Sequence, residues 1–172
     1  MFRRAIVIGS SGAGKSTFSR KLRDVTGLPL YYLDMLWHRS DKTTITREEF
    51  DEKLALMLQN ERFIIDGNYC RTLEMRLARC DTVFFLNYPL ELCLASVIGR
   101  AGQVREDMPW IEEVPDPEFL QWIRDFHAVT LPEMIEVLKS WEDRVNVITF
   151  HSREEADAYL AELKEKWECD EN

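Results

Sequence analysis

Residues Ile6-Val7-Ile8-Gly9-Ser10-Ser11-Gly12-Ala13-Gly14-Lys15-Ser16-Thr17 read as an apolar strand, a glycine-rich turn and the start of a helix. Gly9 to Ser16 fits the G-x-x-x-x-G-K-[ST] pattern of a phosphate-binding loop. The residue types suit that chemistry. Glycines let the backbone turn several N–H groups into one concavity, and the following helix N-terminus favours an anion. Lys15 supplies a point charge for β- and γ-phosphates, and the Ser16 hydroxyl suits a Mg²⁺ position. The stretch Gly9, Ser10, Ser11, Gly12, Ala13, Gly14, Lys15, Ser16 and Thr17 is therefore the expected nucleotide-phosphate cradle. A dinucleotide fingerprint fits worse, because the glycine order here is G-x-x-G-x-G with Lys-Ser behind it.

The rest of the chain alternates strand and helix signals. Arg4 to Ile8 is the first strand, and a helix from Lys15 to Val25 buries Phe18, Leu22 and Val25. Leu30 to Leu33 is a short second strand delivering Asp34, with a loop from Met35 to Thr44. Thr46 and Glu49 form a capping box, with Ile45 and Phe50 as hydrophobic staple, ahead of a helix facing Phe50, Leu54, Met57 and Leu58 inward. Arg62 to Ile65 is the third strand and ends in Asp66-Gly67-Asn68-Tyr69. A helix from Thr72 to Arg79 turns Leu73 and Leu77 inward and gathers Thr72, Arg76 and Arg79 on its opposite side. Thr82 to Leu86 is the fourth strand, followed by a helix from Pro89 to Ile98. Residues 99–117 are irregular. Phe119, Trp122, Ile123 and Phe126 have helical spacing, and Pro132 bends or restarts that helix near Thr130. Arg144 to Phe150 is the fifth strand. Ser152 and Glu155 cap a last helix, and the tail from Glu168 to Asn172 frays. The pattern predicts one doubly wound α/β domain with five parallel strands, its ligand at the carboxyl ends marked by Gly9, Asp34, Asp66 and Asn87.

Composition narrows the function. The 172 residues carry a net charge of −9, which argues against direct nucleic-acid binding. Cys70, Cys80, Cys93 and Cys169 form no C-x-x-C pair, so zinc is disfavoured and a reducing cytoplasm is the simplest setting. No apolar run is long enough to span a bilayer, and no signal peptide is evident. The fourth strand ends Asn87-Tyr88-Pro89 without an N-K-x-D motif, which disfavours a guanine-specific GTPase.

Several segments carry a wider resemblance. The loop, Tyr32-Leu33-Asp34-Met35-Leu36-Trp37, Arg47-Glu48-Glu49-Phe50, Phe63-Ile64-Ile65-Asp66-Gly67-Asn68-Tyr69, Asp81-Thr82-Val83-Phe84-Phe85-Leu86, Arg105-Glu106-Asp107-Met108 and Phe119-Leu120-Gln121-Trp122-Ile123 resemble the bacterial DNA topology modulation protein family. That family is similar to adenylate kinase and other small-molecule P-loop kinases. The resemblance implies a three-layer α/β/α P-loop fold with a short lid over residues 99–117. It implies ATP- and Mg²⁺-dependent phosphoryl transfer to a small acceptor. The alternative is a nucleotide-binding regulatory protein with little turnover, linked to DNA topology. Two segments depart from the family: the lid, Arg100-Ala101-Gly102-Gln103-Val104-Arg105, has fewer arginines, and Phe126 to Leu131 lacks a further one.

The site expectations follow. Asp66 resembles the adenylate-kinase carboxylate that orients a water on Mg²⁺, so Ser16 and Asp66 form the expected metal side. Asp34 is a candidate to hold an acceptor hydroxyl, act as general base or touch the metal shell. Arg71 and Arg76 are candidates to clamp an anionic acceptor. Arg100 resembles the lid arginine that contacts the transferring phosphate, and Arg105 is a candidate acceptor contact. Lys15, Asp34, Asp66 and Arg100 make up the candidate catalytic set. Trp37 and Tyr69 are candidate walls for an acceptor base. His38, His127 and His151 are scattered, and the acidic run at Glu112-Glu113 reads as a solvated loop. The acceptor, the base preference and the oligomeric state are not legible in the sequence.

Overall fold

Arg4–Gly9 forms strand β1, and every residue in it except Arg4 is buried. The reason is its place in the sheet of this computed structural model, which describes residues 1–170. β1 lies between β3 (Phe63–Asp66) and β4 (Thr82–Leu86), with β2 (Leu30–Tyr32) and β5 (Asn146–Phe150) outside them. All pairings are parallel, in the order β2-β3-β1-β4-β5. A strand with helices over both faces needs an unbroken apolar run, which Ala5-Ile6-Val7-Ile8 supplies. The register brings the carboxyl ends together: Val7 and Tyr32 both pair with Asp66, and Gly9 pairs with Leu86.

The pleat sorts the core into two layers. Ala5, Val7, Ile64, Phe84 and Leu86 point toward α1 (Lys15–Thr26), α5 (Leu90–Gly99) and α8 (Arg153–Asp170), where Phe18, Leu22, Cys93 and Leu160 meet them. Ile6, Ile8, Phe63, Ile65, Val83 and Phe85 point the other way. They meet α3 (Arg47–Met57), α4 (Leu73–Leu77) and α7 (Leu131–Trp141) through Phe50, Leu54, Leu73, Leu77 and Met134. Both expected caps form: the Thr46 hydroxyl accepts from Glu49 N at 3.1 Å and the Ser152 hydroxyl from Glu155 N at 3.2 Å.

Several boundaries differ from the sequence expectation. Leu33–Trp37 forms a short helix, α2, in place of the end of a strand and the start of a loop. Its signal is the i, i+3, i+4 spacing of Leu33, Leu36 and Trp37, which all pack on the second core layer. A 3₁₀ turn over Cys70–Thr72 precedes α4, which is shorter than expected. Arg76 and Thr72 are buried, against the expectation that they lie on an open face. A π-helical turn at Phe126–Thr130 joins α6 (Pro117–Asp125) to α7, just before Pro132, which has no N–H for a helical bond. α8 continues to Asp170 instead of fraying from Glu168, and Glu171 and Asn172 lie outside the described residues. Among the described residues no helix is long and apolar enough to cross a membrane.

Phe84 is fully buried at the middle of the sheet and contacts the rings of Phe2, Phe18, Phe150 and Tyr159. Phe84→Ala is expected to cost about 3–5 kcal/mol through lost burial and the cavity left behind. Urea denaturation followed by circular dichroism measures it.

Candidate active site

The loop after β1 is shaped by its neighbours as well as by its own residues. Gly12 has φ +82°, and a Cβ there would lie 2.1 Å from the Cys93 carbonyl oxygen of α5. Only glycine lets the loop pack that closely. Ser11, Gly12, Gly14, Lys15, Ser16 and Thr17 line a cavity of about 440 Å³, while Ser10 and Ala13 are buried behind it. The Lys15 ammonium donates to the Ser10 carbonyl at 2.9 Å. Burial lowers its pKa, against the opposing pull of Asp66 and Asp34.

Asp34, Asp66, Arg100 and Arg105 line the same cavity. Asp66, the last residue of β3, is 4% exposed, and its Oδ1 has no hydrogen-bond partner among the described residues. Burial pushes its pKa up to about 7, against Lys15 and the Ser16 hydroxyl. A buried carboxylate oxygen without a donor, beside a hydroxyl and an ammonium, suits a hydrated divalent cation. Among the described residues no group of three or more His, Cys, Asp or Glu is arranged to hold a metal. Mg²⁺ commonly uses one or two protein oxygens plus substrate phosphates, which is what Ser16 and Asp66 offer. Asp34 opens α2, and the Tyr69 hydroxyl donates to its Oδ1 at 2.8 Å.

The loop after β3 has a demanding backbone. Gly67 has φ +146°, and a Cβ there would meet the Leu33 Cβ at 2.7 Å. Tyr69 also has positive φ, +34°, which is costly for a bulky residue. The Arg76 guanidinium holds this shape. It donates to the carbonyls of Gly67 at 2.7 Å, Tyr69 at 3.1 Å and Asn68. Asn68 Oδ1 in turn accepts from Gly9 N at 3.2 Å, tying this loop to the phosphate loop. Arg76 therefore has no open face for an acceptor. Arg71 is also elsewhere: it is exposed and bonds both oxygens of Asp51, at 2.8 and 2.6 Å. Neither arginine lines the cavity.

Residues 100–116, between α5 and α6, contain no helix or strand and lie over the phosphate loop. Asp107 is 4% exposed and accepts from the Ser16 hydroxyl at 2.8 Å. Arg105 bonds Asp107 and also Glu112, at 2.9 Å, and Arg100 lies 3.6 Å from Glu112. Glu112 is thus part of an ion-pair cluster, not a solvated loop residue. Sequence reasoning missed Asp107 as a site residue, although it stands in a segment that carries the family resemblance. Arg20 and Arg153, also unforeseen, line the same cavity. Of the three histidines only His38 borders the site, in a second cavity of about 590 Å³ that adjoins the first through Ser11, Lys15, Asp34 and Arg100. Trp37 and Tyr69 line this second cavity.

Solved structures share this architecture. Shikimate kinase from Acinetobacter baumannii in complex with shikimate is similar with a TM-score of 0.59 and 18% identity, over 93% of this chain and 92% of that one. Shikimate kinase from Bacteroides thetaiotaomicron gives 0.55 and 18%, over 98% and 99%. A sugar kinase from Janibacter sp. HTCC2649 gives 0.54 and 17%, over 96% and 92%. The fold is that of the adenylate-kinase-like P-loop proteins, with the three layers and five parallel strands expected from the sequence. No family model matches the chain, and no curated protein matches it in sequence.

Two outcomes test the site. An unfolded carboxylate ionises near pH ~4, whereas native Asp66 keeps its proton to about 7, so the native state binds more protons across that window. Stability of the ligand-free protein therefore falls as pH rises through it. Asp66→Asn is expected to melt several degrees above the parent at pH 8, the difference vanishing near pH ~4, in differential scanning calorimetry. Arg76→Met leaves buried carbonyls without donors and is expected to cost about 3 kcal/mol or more in urea denaturation.

Proposed function

We propose that the protein is an ATP- and Mg²⁺-dependent phosphotransferase acting on a small acceptor. The observation that carries this reading is the junction of two cavities: Lys15, Asp34 and Arg100 line both the phosphate-loop cavity and its neighbour. The fold likeness to shikimate and sugar kinases supports it at the level of architecture.

The loop from Gly9 to Thr17 cradles the polyphosphate with backbone N–H groups, and Lys15 neutralises its transferring end. Ser16 and Asp66 hold Mg²⁺, which supplies charge neutralisation on the phosphate oxygens when bound. Asp34 orients the acceptor and takes its proton, with Tyr69 fixing the carboxylate. Arg100 stabilises charge on the transferring group. Residues 100–116 act as the lid, excluding water while carrying Arg100 and Arg105 over the phosphates. Catalysis on this reading is positioning and electrostatics.

The contact of Asp107 with the Ser16 hydroxyl favours a second reading, a nucleotide-binding regulator with little turnover, because a carboxylate held there opposes an incoming phosphate. One experiment separates the two. ATP consumption is screened across nucleosides, nucleoside monophosphates and small hydroxylated metabolites, beside calorimetric ATP binding. Acceptor-dependent turnover supports the phosphotransferase. ATP binding with no turnover on any acceptor supports the regulator. Lys15→Ala is expected to lose ATP affinity by about 100-fold with an unchanged circular dichroism spectrum, as fits loss of a charge-assisted phosphate contact. Unchanged affinity would place the nucleotide elsewhere.

A further inference from the structure

The second cavity has a character that the phosphotransferase reading leaves unused. Rings of Trp37, Tyr69, Trp110, Phe119, Trp122 and Phe126 wall it. They come from α2, the loop after β3, the 100–116 segment and the continuous stretch of α6 with the π-helical turn, so four parts of the chain converge on one aromatic chamber. Trp122 is 49% exposed, although its helical spacing with Ile123 and Phe126 reads as core. Its ring lies parallel to that of Phe119, at 5.8 Å and 13°. His38 packs edge-on to Trp110 at 4.9 Å. Flat rings converging on a concave site suit a flat guest.

The charge of this cavity decides which guest. An anionic acceptor needs a free cation. Arg71 is outside, on Asp51, and Arg76 spends its guanidinium on carbonyls. Arg105 is held by Asp107 and Glu112. Among the described residues the cations lining this cavity are Lys15 and Arg100, and both also line the phosphate-loop cavity. The remaining charged groups are the carboxylates Asp34 and Glu112. Glu112 is already paired with Arg105 and Arg100, so a second phosphate placed here would face Asp34 and find no cation that is not engaged by Glu112 or shared with the phosphate-loop cavity, an unfavourable arrangement in a partly dry site. Among the described residues the polar atoms without hydrogen-bond partners at this cavity are Asn68 Nδ2, His38 Nδ1 and Nε of Arg100, and of these only the Arg100 guanidinium also borders the phosphate-loop cavity, which leaves the two neutral groups to this cavity alone. They match a hydroxyl or a ring heteroatom. Burial lowers the His38 pKa, which keeps the imidazole neutral at pH 7.

Resting on the phosphotransferase reading, we propose that the acceptor is an uncharged alcohol bearing a flat heteroaromatic ring, a nucleoside by chemical class, and that its nucleophile is a hydroxyl instead of a phosphate oxygen. The hydroxyl oxygen forms a bond to the γ-phosphorus of ATP. The bond from that phosphorus to the β–γ bridging oxygen breaks, ADP leaves, and the hydroxyl proton passes to Asp34. Tyr69 engages one Asp34 oxygen, leaving the other for the acceptor. The product is a phosphate monoester.

Tryptophan fluorescence of the full-length protein, titrated with adenosine, guanosine, cytidine and thymidine and with their 5′-monophosphates, tests the proposal, since three of the walls are tryptophans. At least one nucleoside is expected to bind about tenfold or more tightly than its own monophosphate. Trp122→Ala is expected to weaken that binding by about tenfold, the scale of losing one base–aromatic stack, and Trp122→Phe to retain most of it. Monophosphates binding more tightly than nucleosides, or no nucleoside binding at millimolar concentration, would overturn the proposal. The same ligands are then assayed for ATP consumption. A nucleoside that binds but is not phosphorylated overturns the phosphotransferase reading and leaves the ligand class standing. Turnover confined to anionic acceptors keeps that reading and overturns the ligand class.

Discussion

A buried guanidinium with no carboxylate partner among the described residues organises this site. Arg76 is fully buried and spends its donors on the carbonyls of Gly67, Asn68, Tyr69 and Thr72. Burial pulls its pKa down to about 10, which expresses how unfavourable the charge is there. What the charge achieves is a loop that could not otherwise hold its shape. Tyr69 sits at φ +34°, a conformation worth roughly 1–3 kcal/mol of strain for a residue with a Cβ. With its carbonyl bonded, the strain is overdetermined and the Tyr69 hydroxyl reaches Asp34. Asn68, held in the same way, reaches the first glycine of the phosphate loop. One side chain thus fixes the relative positions of β3, α2 and the phosphate loop.

The 100–116 segment works by a different principle. Arg100 and Arg105 are balanced against Asp107 and Glu112 inside one cluster. The cluster is self-neutralised, so the mutual attraction of its charges offsets the desolvation that burial imposes on Arg100, Arg105 and Asp107. On the proposed function, a polyphosphate arriving at the loop would compete with Asp107 and Glu112 for the same arginines. The exchange replaces one set of charge-assisted bonds with another, which makes closure a matter of partner choice more than of new hydrophobic burial. Trp110 and Met108, from the same segment, border the aromatic cavity, so its position bears on both cavities at once.

How much of this could be read from the sequence depends on how local each cause is. The strand, loop and helix from Arg4 to Thr26 were legible, because glycine spacing, apolar run and helix start are contiguous. The two N-caps, Thr46 and Ser152, were legible for the same reason. α2 was hidden because its one and a half turns carry no cap, and its stabilisation comes from Leu33 and Trp37 reaching a distant core layer. The side of α4 on which Arg76 lies was misread, because spacing alone assigns a charged residue to solvent. The carbonyls that draw it inward belong to residues up to nine positions earlier, in a loop whose shape the arginine itself sets. Asp107 was missed because its partner, Ser16, is 91 residues away. Asp34 and Asp66 were found because parallel strands deliver their last residues to one edge, a rule that needs no knowledge of contacts.

The same distinction explains why the phosphate side and the acceptor side speak so differently. The phosphate loop occupies one short stretch, and any chain that keeps it and its strand keeps the chemistry of holding a polyphosphate. The aromatic chamber is drawn from four parts of the chain, none of them a strand. On the proposed function, those positions can change while the sheet and the loop stay intact, so an acceptor site there would be free to differ on a constant frame. Likeness to shikimate and sugar kinases at 17–18% identity, over more than nine-tenths of the chain, reaches the shared fold and goes no further. The fold identifies the frame, and only the rings and carboxylates around Asp34 bear on the guest.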